Sequence, residues 1–409
     1  MTINGSHHSY RAVIAAPGVA ALLVAILLAR LAGRMLSLAI VLYALGRFAS
    51  PALAGWLSFA LVAPGLVVSP VAGALLDRIG AGWAVALDMA ASAAVLLALV
   101  GCDLLGWASP GSLFALVALF SLTSPLGTAG VRTLLPQLVP PAALDRANAL
   151  DTAIYAAVDV VGPALAGLLV ALAGPEAALT VIAGAFATAA LCIARLRHPP
   201  MPRPRGGSLL AQAWEGLCLV LRQPTLRGLA VSYALYQASW GILMVVVPVF
   251  ALRHFSAQSS DLATGLLWTC AGLAGGVGAL LAGRLRTTGR ERAVMAGGML
   301  LTALAVWPVA ALFGLGGLVA GLMLAGFVAG PIDVGLLTLR QRRTDPRQFG
   351  RVFAVSISLN IAGFPLGAAL GGVLIGQSLT VAFVVAGLVS LLGALATLAI
   401  PREPAPAGQ

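Results

Sequence analysis

The sequence predicts an all-α membrane protein: twelve transmembrane helices in two six-helix bundles related by a parallel internal repeat. Three observations carry this expectation. Of 409 residues, 60% are hydrophobic and 9% charged, more apolar surface than one water-soluble core can bury. Apolar runs near the twenty residues needed to cross a bilayer recur along the chain. Finally, Gly73-Ala74-Leu75-Leu76 returns as Gly278-Ala279-Leu280-Leu281, and the same shift of 205 residues carries Arg146 onto Arg351, Gly162 onto Gly367 and Gly167 onto Gly372.

Span length and Gly, Pro and Arg punctuation segment the chain. The first span, about 18 to 46, opens after Pro17. The second, 51 to 74, opens at Pro51, and the third, 83 to 105, follows Gly80 and Gly82. Pro110 begins the fourth, 110 to 135. Arg146 precedes the fifth, 147 to 172, and Pro175 opens the sixth, 175 to 195. A linker then carries Pro199, Pro200, Pro202, Pro204, Gly206 and Gly207. Its later part, Leu209 to Leu221, has the apolar spacing of an amphipathic helix lying on the membrane surface. The second half repeats the pattern over 227 to 252, 260 to 283, 292 to 313, 315 to 339, 350 to 375 and 378 to 400. The organisation expected is an N-terminal bundle over 1–195, a cytoplasmic linker over 196–226 and a C-terminal bundle over 227–409.

All 24 basic residues are arginine, and most fall in loops on one side of this arrangement. Arg78, Arg132, Arg146, Arg284, Arg286, Arg290, Arg292, Arg340, Arg342, Arg343, Arg347 and Arg351 mark a cytoplasmic face, because translocation of positive charge is disfavoured. Both termini are expected in the cytoplasm. The absence of lysine and the abundance of Ala, Gly and Arg suggest a GC-rich bacterial gene, hence a bacterial inner membrane. No cleavable signal peptide is expected, since the first apolar segment is too long and many more follow.

Several classes drop out. A formal charge of +11 would suit nucleic acid, but no polar domain with reading elements accompanies it. Cys102, Cys192, Cys218 and Cys270 are scattered singly, and His7, His8, His198 and His254 have no partner at ligand spacing, so neither metal nor cofactor is expected. A chain without lysine has no phosphate-binding loop of the Gly-Lys type. No catalytic constellation or large soluble loop favours a membrane enzyme.

Charges inside the spans need partners or water, since each costs roughly 2.5 to 3.5 kcal/mol at a helix centre. Arg30 and Arg34 stand one turn apart in the first span. Asp151, Tyr155 and Asp159 form a polar stripe in the fifth. At about 1.5 Å per residue, Arg30 and Asp159 reach similar depth, about 18 Å in. Asp159 is the expected protonatable group, with Arg30 or Arg34 pairing with it or holding an anionic group of a substrate; a permanent ion pair that only fixes packing is the alternative. Asp333, after Gly330-Pro331, is a second candidate for proton or substrate binding, or else caps the proline break. Asp88 is expected to pair with Arg78 or Arg132 near the surface.

Two motifs point to a family. Gly73-Ala74-Leu75-Leu76-Asp77-Arg78-Ile79-Gly80 resembles the loop signature of the major facilitator superfamily, although Ala81-Gly82 replace the two further basic residues usual there, and the repeat carries Ala282-Gly283 in place of Asp77-Arg78. Val161-Gly162-Pro163-Ala164-Leu165-Ala166-Gly167 resembles the Gly-Pro pattern of that superfamily's antiporter branch, with Ala166 in place of a glycine. Together with Leu135-Pro136-Gln137-Leu138-Val139-Pro140 and Arg146-Ala147-Asn148-Ala149-Leu150, it is similar to the efflux-type branch that includes siderophore and macrolide exporters. The resemblance implies an alternating-access exporter, not an enzyme, that couples to protons, carries a small organic molecule, contacts membrane lipid and functions as a monomer. It makes Gly73, Asp77, Arg78, Gly80, Gly162, Pro163 and Gly167 candidate gating residues. In this superfamily the first, fourth, seventh and tenth helices line the cavity, so Tyr233, Tyr236, Gln237 and Trp240 join Arg30, Arg34 and Tyr155 as candidate substrate contacts. An aromatic face with few polar groups suits an amphipathic compound. Uptake of a nutrient is the competing reading within transport, and a non-transporting receptor a remoter one.

Overall fold

A computed structural model describes residues 17–138, 144–196, 209–284, 290–306, 310–344 and 349–401. The described residues form helices and the turns between them: α1 Val19–Phe48, α2 Pro51–Ala60, α3 Ala63–Ile79, α4 Ala81–Leu104, α5 Pro110–Leu138, α6 Leu144–Ala173, α7 Pro175–Ala194, α8 Leu209–Arg222, α9 Pro224–His254, α10 Ala257–Arg284, α11 Glu291–Leu304, α12 Ala310–Arg343, α13 Phe349–Ile361, α14 Gly363–Ile375 and α15 Leu379–Ala396. Eleven spans among them are long and apolar enough to cross a membrane. The ninth predicted span is represented by α11, and residues 307–309 of that span lie outside the described set.

Local chemistry sets the helix ends. Ser50 accepts from the Leu53 N–H at 3.1 Å ahead of Pro51, so a hydroxyl cap and a proline in the first turn start α2 together. Gly80 closes α3 and opens α4 at φ 85° and ψ 151°, a conformation that is essentially glycine's alone. Its N–H bonds the Leu76 carbonyl at 2.9 Å. The last glycine of the loop motif is therefore required by the turn itself. Gly314, at φ 55° and ψ −133°, interrupts α12 where the ninth and tenth spans were predicted to divide.

Two predicted spans are broken by proline. The second is α2 followed by α3, with Pro64 in the first turn of α3. The eleventh is α13 followed by α14, interrupted at Ala362 three residues before Pro365. A proline nitrogen has no hydrogen to donate and its ring crowds the preceding turn.

Packing gathers these helices into two compact units. One contains the residues up to Ile40 and Ala60–Leu209; the other contains Val41–Phe59 and the chain from Leu210 onward. Inside the second unit, Gly363, Gly367 and Gly371 recur at every fourth position of α14 against α9. A Cβ there would meet the Ala234 carbonyl, the Ala238 carbonyl and Ile242 respectively, so the two backbones approach each other directly. The same device attaches α2, where Gly55 faces the Ala368 carbonyl and Gly372 faces Pro51 and Ala52. The core of this unit includes Leu229, Tyr236, Met295, Met299, Val328, Ile332 and Leu336. Elsewhere large apolar side chains remain outside, among them Val67, Leu172 and Leu280, the surface expected of helices solvated by lipid.

Candidate functional site

Within the first unit, α1 and α6 bring five polar side chains of membrane-spanning helices together. Arg30 holds Asp151 by three contacts: Nη1 lies 2.9 Å from Oδ1, Nη1 donates to the Asp151 carbonyl at 2.9 Å, and Nη2 donates to Oδ2 at 3.1 Å. One turn along α1, Arg34 Nε meets Asp159 Oδ1 at 2.5 Å. Tyr155 stands between the pairs, its ring centroid 4.7 Å from the Arg30 guanidinium carbon and 5.6 Å from that of Arg34, within cation–π range. Two cations and two anions balance, so the cluster needs no counter-ion from outside.

The pairs differ in access. Side chains of Arg30 and Asp151 are 20% and 23% exposed, whereas those of Arg34 and Asp159 are 46% and 41% exposed. Fixed by three contacts and more enclosed, Arg30 and Asp151 have the geometry of a structural clamp. Arg34 and Asp159, joined by one contact, have the geometry of a pair that can exchange partners.

The sequence leaves Arg30 or Arg34 as the partner of Asp159, with Arg30 at the nearer depth, and the structure selects Arg34. Arg30 pairs with Asp151, and Asp159 pairs with Arg34. The cause is a glycine: a Cβ on Gly162 would stand 2.7 Å from the Arg34 Cβ, so the two helices touch at this point. Asp159, three residues from Gly162, is thereby delivered to Arg34. Asp151, one turn of α6 below Tyr155, was legible in the polar stripe, but its partner was not.

Of the other motif residues, Pro163 lies inside α6 and Gly167 is buried on it. Arg78 is exposed in the last turn of α3. Gly73 and Asp77 belong to α3, but their side chains lie outside the described residues, as does that of Arg132. Asp88 departs from expectation. Its side chain is 8% exposed, no basic side chain among the described residues pairs with it, and it is packed against Gly127 of α5.

The second unit carries a separate polar and aromatic row. Tyr233 donates to Asp333 Oδ1 at 2.5 Å, so Asp333 on α12 is tied to α9. Ring contacts then run from Tyr233 to Tyr236 at 5.8 Å, from Tyr236 to Trp240 at 6.3 Å, and from Trp240 to Trp268 of α10 at 6.0 Å between centroids. Gln237 is half-buried one turn beyond Tyr233. Trp268 was not anticipated: nothing in the periodicity of α10 marks it. Its indole N–H and the Ser239 hydroxyl are buried with no hydrogen-bond partner among the described residues. Arg340, read from sequence as a loop charge, is 3% exposed. Its Nη2 donates to the Asn360 side-chain oxygen at 2.5 Å when the Asn360 amide is oriented so that its nitrogen also donates to the Ser356 carbonyl at 3.1 Å. A run of arginines at a helix end conceals which one turns inward.

The family profile of the Major Facilitator Superfamily matches residues 22–231 and again 229–409, one match for each half of the internal repeat. The chain belongs to the Major Facilitator Superfamily. Among relatives of this transporter, the uncharacterized MFS-type transporter y4rN of Sinorhizobium fredii is 58% identical over 97% of the chain and 98% of the relative. The multidrug efflux pump Tap of Mycolicibacterium fortuitum is 30% identical over 83% and 85%, and the enterobactin exporter EntS of Shigella boydii is 29% identical over 60% and 58%. Solved structures share the fold: the nucleoside transporter NupG has a TM-score of 0.73 at 14% identity, covering 94% of this chain and 98% of that one. A bacterial homologue of ferroportin in an inward-facing state has a TM-score of 0.72 at 18% identity, covering 93% and 98%. The protein is thus a multi-pass superfamily transporter of a small molecule and not an enzyme.

Proposed function

We propose that this superfamily member exports a small amphipathic organic compound from the cell in exchange for protons, by alternating access. The observation that carries the reading is the accessible Arg34–Asp159 pair beside Tyr155. A proton arriving at Asp159 removes the negative charge that holds Arg34, and the freed guanidinium can then take an acidic or hydrogen-bonding group of the substrate. Ionisation of Asp159 restores the pair and expels that group. Competition for one arginine links proton and substrate without any covalent chemistry.

In the second unit, the partly buried rings of Tyr233, Trp240 and Trp268 offer flat apolar faces with a few donors, which suits an amphipathic solute, while Tyr236 is buried in the core behind them. Asp333, bonded to Tyr233, is a second acceptor for a proton or for a cationic group. Efflux direction draws support from the names of two distant relatives, a multidrug efflux pump and an enterobactin exporter. Gly162 brings the antiporter-type motif directly against Arg34, so movement of α6 about that point changes the pair.

The test is flux of a fluorescent amphipathic dye in proteoliposomes under an imposed pH gradient. Export driven by the gradient in the wild type, and gradient-independent flux in Asp159→Asn, is the expected result. Full gradient dependence in Asp159→Asn defeats the proton role of this residue, and net inward transport in the same direction as protons supports nutrient symport instead.

A further inference from the structure

We infer that Asp88 is a proton-binding site in the seam between α4 and α5, separate from the Arg34–Asp159 pair, whose loading holds the seam closed and whose ionisation opens it to water.

Asp88 lies seven residues into α4, about 10 Å along the helix axis. Its side chain is more than nine-tenths buried. One oxygen, Oδ2, fills the notch left by the missing side chain of Gly127; a Cβ at that position would stand on it. The other, Oδ1, is buried with no hydrogen-bond partner among the described residues. Thr123, one turn before Gly127 on α5, bonds the Phe120 carbonyl of its own helix at 3.2 Å.

No neighbouring charge among the described residues offsets this burial. Ionisable side chains on the elements packed against α4 are Asp77 and Arg78 on α3, Arg132 on α5, and Glu176 and Cys192 on α7. Arg78 is exposed at its helix end, and the side chains of Asp77 and Arg132 lie outside the described residues. Glu176 sits in the first turn of α7, at the opposite end from Cys192. None of the described ones pairs with Asp88. A bare carboxylate in such a seam costs several kcal/mol even after relaxation, whereas the acid form fits as it stands. The ion is accommodated only if the seam parts and water enters, which turns a local proton into a change of helix packing. Gly127 is therefore a positioning residue: it makes the room in which the acid is held.

The inference goes beyond the proposed exchange mechanism, and its test does not use transport. The full-length protein in lipid nanodiscs is treated with dicyclohexylcarbodiimide, which modifies protonated carboxyls in apolar surroundings, and the peptides are mapped by mass spectrometry across a pH series. Modification of Asp88 at neutral pH, falling as the pH is raised, together with a protonated-carboxyl infrared band that Asp88→Asn removes, is the expected result. Amide exchange of the α5 segment around Gly127 should rise over the same pH range in the wild type and stay low in Asp88→Asn, which mimics the loaded form. An unmodified Asp88 with no such band, or modification and exchange that do not change with pH, overturns the inference. Should Asp88→Asn fail to fold, the pH series on the wild-type protein decides alone.

Discussion

Gly162→Ala isolates the contact on which the register of the charged cluster depends. The added methyl would stand 2.7 Å from the Arg34 Cβ and 3.6 Å from the Arg34 carbonyl carbon and the Met35 nitrogen. Ordinary carbon contacts lie near 3.5 to 4.0 Å, so α1 and α6 must separate by about 1 Å. The obstruction is at Cβ, not at the end of a flexible side chain, so no rotamer change relieves it. Inserting a methyl group into a close-packed contact costs about 1 to 3 kcal/mol, or about one to two decades in the population of the packed arrangement. The same displacement pulls Arg34 from Asp159. Gly33→Ala is the matched control, because a Cβ on the neighbouring residue of α1 meets nothing within 4 Å, and alanine is the better helix former. Thermal unfolding of the detergent-solubilised protein, followed by tryptophan fluorescence, should show a lower midpoint for Gly162→Ala and an unchanged or higher one for Gly33→Ala. Dye transport should fall at least several-fold in the first and be retained in the second. Equal stability and transport in the two variants would refute the packing argument and, with it, the pairing of Arg34 with Asp159.

Three further outcomes follow from the same structure. Double-mutant cycles with Arg30→Gln and Asp151→Asn should give a coupling energy larger by about 1 kcal/mol or more than cycles with Arg34→Gln and Asp159→Asn, because the first pair has three contacts and less access to water; unfolding midpoints measure both. Gly80→Ala should lower stability by about 1 to 3 kcal/mol, since its backbone conformation is closed to residues with a side chain, and an unchanged midpoint would mean the turn re-forms differently. Trp268→Phe keeps an aromatic ring and removes a donor that bonds nothing among the described residues, so stability should be unaltered, while binding of substrates that carry a hydrogen-bond acceptor, measured by quenching of the remaining tryptophans, should weaken.

Much of this architecture is written in composition and length. Spans of about twenty apolar residues have few alternatives to membrane helices, because every backbone polar group in lipid must be satisfied within the segment. The repeat at one offset forces the second half to resemble the first. Glycine and proline mark turns for reasons of backbone geometry that act locally, as at Gly80, Pro51 and Gly314. The polar stripe Asp151, Tyr155 and Asp159 is likewise legible, since 3.6-residue periodicity alone puts the three on one face.

Partnership is another matter. Arg30 meets Asp151 and Arg34 meets Asp159 because Gly162 fixes where α1 touches α6, and that contact joins residues far apart in the chain. Arg340 turns inward to Asn360 although its neighbours in the sequence are indistinguishable in charge. Asp88 lies against Gly127, where arginines at the helix ends had offered the simpler pairing. Apolarity and periodicity specify which residues enter the membrane and which face they share; only helix packing, decided by the shapes of side chains that meet across helices, determines which buried ionisable group has a charged companion and which has none among the described residues.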